Sequence, residues 1–378
     1  MSLRRSLGLL LLVLLSLQDS FSQKTEAASA EHSQGLVFVK EFSKSGMVDL
    51  SDEGSLLILY TREGHYDPIM KTGFYERVLD WQTEKELDRL IWDGDVGGVS
   101  FLPDSRKVLQ KNSLVQVPNL RETEIPIRDI GKRHTQKCRI PFEFKAAYIS
   151  GILSDKAILT FSDERSTPAP TEIFLLDLNN CQLIRGGTIE LAPQYNNVRM
   201  MRVNDILTDR YVVFDVWVLK KPQVFVIWDL KTAKTLKVIV PPTGSWTGGF
   251  TRDGKYLYVR GGFDGDNRIQ FYDTSNYGLA FEKSLPTQYG DVDFSHDGKY
   301  MALSYYDIQK GRSSATTQPM ILIYDIKSWT EVASIKYKKR KKDYADAAAH
   351  PSVRFTPDGK HLIASGPTST AVWRLQLP

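Results

Sequence analysis

What the chain lacks narrows its class first. Only two cysteines occur in 378 residues, which excludes a disulfide-scaffold protein and any cysteine-rich zinc module. The six histidines show no metal-ligand spacing. HExxH, GxSxG, CxxC and phosphate-loop patterns are all missing, so hydrolases and nucleotide enzymes of those types are not supported. Apart from Leu7–Leu17, no stretch approaches membrane-spanning length, which needs about 20 apolar residues. Charged residues are 25% and apolar residues 42% of the chain, values of an ordinary globular protein rather than a disordered one.

The N-terminus reads as an export signal. Arg4 and Arg5 precede an 11-residue apolar run, and the small residues Ser20 and Ser22 suit a cut after Ser22. A cut as late as Ala30 also satisfies the pattern. The expected organisation is therefore a signal over 1–22, a polar lead over 23–34 and one domain over 35–378. The expected location is the periplasm or the medium, with no membrane span after cleavage.

Charge is local. The formal net charge is +4; Arg4, Arg5 and Asp19 leave +1 in the leader, and Lys336–Lys342 (KYKKRKK) contributes +6, so the rest stands at −3. Lys336, Lys338, Lys339, Arg340, Lys341 and Lys342 are candidates for contact with an anionic polymer, such as an acidic glycan or phospholipid headgroups. Nucleic acid is not an expected partner of an exported chain, and Tyr337 and Tyr344 alone make no base-stacking platform.

A short pattern repeats along the domain. FTRDGKYLYV (250–259), FSHDGKYMAL (294–303) and FTPDGKHLIA (355–364) are clear copies. Weaker ones begin at 50, 101, 152 and 206. The turn aspartates Asp52, Asp104, Asp155, Asp209, Asp253, Asp297 and Asp358 are spaced 52, 51, 54, 44, 44 and 61 residues apart. Asp-Gly between runs of Val, Ile, Tyr and Phe is a strand–turn–strand signal. A second element follows each hairpin: apolar-x-apolar-Asp, then Thr, Ser or Asn three residues on. Asp80, Asp177, Asp229, Asp273 and Asp325 hold its aspartate position, and Asn119 in VQVPNLRE is read as a degenerate copy. These carboxylates are expected to cap turns, not to catalyse. Each unit is then four strands, a to d.

Seven such units predict an all-β fold, a seven-bladed β-propeller of four-stranded antiparallel blades. The last copy ends after its third strand, and Gly35–Phe42 precedes the first copy. That N-terminal strand is expected to complete the last blade and close the ring, removing an exposed edge. The Trp228-Asp229 pair, the Tyr272-Asp273 and Tyr324-Asp325 variants and the Asp-Gly-Lys turns resemble WD-repeat proteins. The similarity is greatest to bacterial exported WD40-like and YVTN-like propellers. The resemblance implies the fold and says little of activity. Most blades lack the Gly-His dipeptide of that family, so stability is expected mainly from apolar packing between blades.

Strand alternation puts the a–b and c–d turns on one face and the b–c and d–a loops on the other. From hairpin Asp to c–d Asp the intervals are 28, 15, 22, 20, 20 and 28 residues; from there to the next hairpin Asp they are 24, 36, 32, 24, 24 and 33. The excess falls in 61–76, 129–142, 186–203, 304–319 and 336–350, all b–c or d–a, which marks that face for binding. Its acidic and aromatic residues are the candidate ligand contacts: Tyr66, Asp67, Asp93, Asp95, Trp246, Asp264, Asp266, Tyr305 and Asp307. His65, Asp215, Trp217 and Tyr306 share those loops. Rings with carboxylates suit a sugar, peptide or cationic ligand.

Cys138, placed in a d–a loop, and Cys181, just past a c–d turn, fall on opposite faces. About 17–20 Å of strand would separate them, so no disulfide is expected. The function that fits best is a binding or scaffold protein presenting one face to a protein, peptide or glycan, without a cofactor. The alternative is a propeller enzyme of the lactonase or quinoprotein kind, with a site at the channel mouth. The Asp-Gly-Asp runs at 93–95 and 264–266 are its only hint.

Overall fold

The computed structural model describes residues 31–377 apart from 44, 68–71, 91–98, 104–105, 111–121, 133–134, 142–146, 162–170, 196, 222, 242–244, 262–266, 287–289, 310–315, 338–339, 342–351 and 366–368. It is a seven-bladed propeller of antiparallel sheets. Blade 1 comprises Ser45–Leu50, Leu56–Asp67, Thr72–Asp80 and Lys85–Leu90, and blade 2 comprises Val99–Phe101, Lys107–Gln110, Glu122–Asp129 and Thr135–Pro141. Blades 3, 4, 5 and 6 occupy 147–188, 198–239, 245–284 and 291–336. Helix among the described residues is limited to one 3-10 turn, Pro193–Tyr195.

Blade 7 has three strands of its own, Ser352–Phe355, His361–Ser365 and Ser369–Leu375, and takes its outer strand, Leu36–Ser43, from the other end of the domain. The register pairs Leu36 with Leu375, Phe38 with Trp373 and Phe42 with Thr370. The chain ends are thus joined by hydrogen bonds within one sheet. The lead goes further than expected: Glu31–His32 pairs with Lys336–Ile335 as a fifth strand on blade 6, and the His32 ring lies 5.3 Å from that of Trp373. His32 therefore belongs to the sheet, and the N-terminus binds two neighbouring blades.

The strands alternate because one side chain in two faces each neighbouring blade. The described core accordingly divides into seven apolar clusters, each spanning one blade–blade interface. In blade 4, Val212, Phe214 and Val216 face blade 3, and Val213 faces blade 5. Trp228 and Trp373 are fully buried in such interfaces.

The turns explain the repeated aspartates. In blades 5, 6 and 7 a hydroxyl two residues earlier (Thr251, Ser295, Thr356) donates to the turn carboxylate of Asp253, Asp297 or Asp358 at 2.6 Å. The backbone N–H of Lys255, Lys299 or Lys360 donates to the same oxygen. The glycine that follows has φ of +67° to +69°, which a side chain would strain. At the c–d turns, Asp80 accepts from the amides of Gln82 and Thr83, Asp177 from Asn179 and Asn180, Asp229 from Lys231, Asp273 from Ser275 and Asp325 from Ser328. The Thr83 amide holds Asp80 below the usual carboxylate range, the Arg210 guanidinium does so for Asp229, and serines do so for Asp273 and Asp325. A lowered folded pKa favours the fold above the unfolded value near 4, and that contribution fades as pH falls through the lowered value.

Blade 2 corrects the sequence reading. Its c–d turn follows Asp129, not Asn119, which lies outside the described residues. Strand c there is Glu-Thr-Glu-Ile-Pro-Ile-Arg-Asp: a mid-strand proline and few apolar positions disguise it. The intervals flanking Asp129 are then 25 and 26 residues, so the extra length of this blade moves to its b–c connection. Within segment 129–142, Ile130 and Gly131 lie in the c–d turn and Thr135–Pro141 is the outer strand, so these residues are not a d–a loop.

That shift also overturns the cysteine argument. Cys138 sits in the middle of the outer strand of blade 2, beside the c–d turn of blade 3 that carries Cys181. Gln136, two residues away, donates to the carbonyl of Leu178 in that turn at 3.2 Å. The two cysteines form a disulfide with Cα atoms 5.0 Å apart. It ties blades 2 and 3 together at their periphery.

In blades 1 and 6 the surplus b–c length is largely strand. Tyr300–Gln309 and Thr316–Asp325 pair along ten residues each, and the short strand Arg340–Lys341 adds to Thr316–Thr317.

Candidate functional site

The inner strands surround a central channel. Two adjoining cavities of about 590 Å³ each share Asp52, Asn204, Asp205, Ile206 and Thr208, and between them they touch all seven blades. A volume of that size accommodates a small ligand or an inserted side chain. The channel opens among the a–b turns at Asp52, Pro103, Ser154, Thr208, Arg252, His296 and Pro357, and it reaches Gly290 and Asp291 at the start of the inner strand of blade 6. This concave site therefore has its described mouth on the short-turn face.

Its wall is a ring of polar braces between blades. The Asp49 carboxylate accepts from the Phe101 amide at 2.9 Å, Asp205 from Phe250 at 2.8 Å and Asp293 from Phe355 at 2.7 Å. Asp291 takes the Val353 amide at 3.2 Å, and the Ser150 hydroxyl takes that of Val203. Ser365 of blade 7 accepts from Met47 of blade 1 at 2.7 Å. Each oxygen satisfies an inner-strand N–H of the next blade that has no ladder partner. Sequence reasoning passed over these residues. A signal existed: Val-Asp-Leu-Ser (48–51), Asn-Asp-Ile-Leu (204–207) and Val-Asp-Phe-Ser (292–295) each place an aspartate three or four residues before the hairpin aspartate.

Two arginines partly balance these acids. Arg252 reaches Asp293 at 3.3 Å and Arg354 reaches Asp291 at 2.6 Å. The field of Asp293 raises Arg252, and that of Asp291 raises Arg354. Burial pushes Asp205 above the usual carboxylate range and raises the Tyr258 phenol.

Of the loop candidates, Asp93, Asp95, Asp264, Asp266, Lys338, Lys339 and Lys342 lie outside the described residues. Tyr66, Asp67, Asp307, Arg340 and Lys341 are placed on strands by their backbone only, and so is Trp246 on the inner strand of blade 5. Tyr305 is packed in the cluster between blades 5 and 6, its hydroxyl 3.5 Å from the Met320 sulfur. Lys336 is exposed at the end of the outer strand of blade 6, but the next residue, Tyr337, is buried in the core. The basic run is therefore not one continuous solvated loop.

Asp215 and Trp217 belong to a buried network near the b–c end of blade 4. The Asp215 carboxylate, with no exposed surface, accepts from Arg202 Nε at 3.0 Å, from Trp217 Nε1 at 3.1 Å and from the Gln223 amide. Burial raises its pKa, and the Arg202 charge opposes that. Asp215→Ala should cost about 2–3 kcal/mol in urea unfolding, because three donors lose their acceptor. Asp215→Asn, which keeps one oxygen, should cost roughly half as much. Equal losses would mean the charge itself, not acceptor geometry, holds the site. Among the described residues no group of three His, Cys, Asp or Glu side chains is arranged to hold a metal ion.

Known proteins place the fold. The β-propeller domain of Cps50 (Swd1) from Myceliophteria thermophila superposes with a TM-score of 0.56, at 14% identity, over 90% of this chain and 99% of that one. No family model matches the sequence, and no curated protein is similar to it. At that identity the likeness establishes a shared β-propeller fold and nothing narrower.

Proposed function

We propose that this chain is an exported propeller that works as a binding scaffold, presenting one face of a rigid ring to a protein or peptide. The observation that carries the reading is the closed ring. Hydrogen bonds join both chain ends, polar braces couple the inner strands, and the b–c strands of blades 1 and 6 are prolonged beyond their neighbours. Such a frame holds loops at fixed separations and leaves a channel for an inserted group. The Cys138–Cys181 disulfide supports export, since such bonds persist in oxidising compartments. The apolar run Leu7–Leu17 supplies the route.

The reading is tested by shortening 310–315 and 342–350 to tight turns. These segments lie beyond the strands Tyr300–Gln309, Thr316–Asp325 and Arg340–Lys341, so the ring should keep its melting temperature. Affinity for a partner captured by the intact protein should fall at least tenfold, the equivalent of about 1.4 kcal/mol. An unchanged affinity for every partner moves the binding surface to the opposite, short-turn face. A glycan in place of a peptide, or turnover of a small substrate with a bound chromophore or metal in the purified protein, would replace the scaffold reading.

A further inference from the structure

The outer strand of blade 4, Lys234–Ile239, carries cations that nothing in the described structure answers. Lys234 and Lys237 on it, Lys231 in the turn before it, and Lys220 and Lys221 in the b–c turn are all exposed. None of these five side chains has a hydrogen bond or ion pair among the described residues. No Asp or Glu occurs between Leu230 and Arg252, and Asp229, at the end of the preceding strand, is held by Arg210 at 3.0 Å. Other blades pair their rim charges. Arg89 meets Glu86 on blade 1, Arg185 meets Glu172 on blade 3 and Arg268 meets Glu282 on blade 5, while Lys40 meets Glu84 between blades 7 and 1.

The same edge is open and partly apolar. Its backbone pairs with Val224–Asp229 on one side, and among the described residues no strand covers the other. Leu219, Leu236 and Val240 add exposed apolar surface to this blade. The register sets Lys234 opposite Asp229 and Lys237 opposite Ile227, so the two lysines share one side of the sheet, about 7 Å apart. Blade 6 shows what such an edge can take. There the chain's own lead adds antiparallel to the outer strand, with Glu31 opposite Lys336 in the ladder.

We propose that the outer strand of blade 4 takes an extended acidic segment of a partner protein as a fifth strand, a segment with Asp or Glu at alternate positions. Main-chain hydrogen bonds satisfy the free edge. Acids two residues apart repeat at the spacing of Lys234 and Lys237, and the residues between them fall on the side of Thr235 and Val238. A second copy of this chain does not fit, because edge against edge sets lysine against lysine. An anionic bilayer meets the charge but leaves the outward N–H and C=O groups of the strand to water. The rim site is separate from both faces of the ring, so it stands or falls apart from the b–c face proposed above.

The test is binding of the peptide fluorescein-Gly-Ser-Glu-Val-Glu-Val-Glu-Ser-amide to the whole mature chain, read by fluorescence anisotropy, with amide hydrogen exchange on the same complex. Binding should saturate, weaken as salt rises and slow exchange at 234–239. The peptide with Lys in place of Glu should not bind. Methylating the alternate main-chain nitrogens turned to the blade should weaken binding at least about tenfold, and methylating the other set should change it little. These peptides probe the wild-type chain and need no variant to fold. Lys234→Glu with Lys237→Glu should lower affinity at least about tenfold at an unchanged melting temperature. Lys85→Glu with Lys132→Glu, the same charge change on blades 1 and 2, should not. No saturable binding, equal loss with either methylated set or with either pair of variants, or protection on another strand would each overturn the proposal. So would phosphatidylglycerol vesicles that bind through Lys234 and Lys237 while the peptide does not.

Discussion

Removing residues 1–43 should do more damage than any single substitution, although none of those residues lies in a blade of its own. The truncated chain keeps every other described strand but leaves Ser369–Leu375 as an open edge, with Trp373 stripped of Phe38 and His32. We expect the cooperative transition to drop by more than about 10 °C and the protein to associate through the exposed strand, read by thermal unfolding and size-exclusion chromatography. Trp373→Ala isolates the packing part. The ring is fully buried between blades 6 and 7, and deleting it should cost about 3–5 kcal/mol. A truncated chain that melts within a few degrees of the full one would show that the ring holds without its latch.

The second large effect is redox. Cys138 and Cys181 are 43 residues apart in sequence and bridge two blades. Closing a loop of that length restricts the unfolded chain by about 4 kcal/mol at 25 °C in the chain-entropy account. Reduction, or the double change Cys138→Ser and Cys181→Ser, should therefore lower the urea midpoint by a corresponding amount, with blades 2 and 3 first to lose amide protection in hydrogen exchange. Wild-type protein under reducing conditions and the double variant should agree. Stability that does not respond to reductant would mean that the interface is held by Leu109, Ile125, Ile140 and Leu159 alone.

Much of the architecture was legible because a propeller is built from local signals. A hairpin needs Asp-Gly at its turn and alternation on its flanks, and both survive in Phe-Thr-Arg-Asp-Gly-Lys-Tyr whatever surrounds them. Legibility failed where a local signal was weak. Strand c of blade 2 carries Pro126 and few apolar residues, so a nearby false match displaced the turn by ten residues, and with it the position of Cys138. Loop length was a similar trap. In blade 6 the extra residues after Ser304 continue the strand to Gln309 instead of leaving it, because interval counting cannot tell a longer hairpin from a longer loop.

The candidate site was less legible still, for a different reason. The long-range partners of Asp49, Asp205 and Asp293 are backbone amides of the following blade, 45 to 62 residues away, and an amide leaves no trace in sequence.

The chain by itself determined the number of repeats, the four-strand unit, the turn chemistry and the strand that closes the ring, because each depends on residues within about ten positions of one another or on a missing copy of the repeat. Only the tertiary structure decided which blades are cross-linked and which aspartates brace the channel. Those depend on how neighbouring sheets sit side by side, a separation of about 10 Å in space across 40 or more residues of chain.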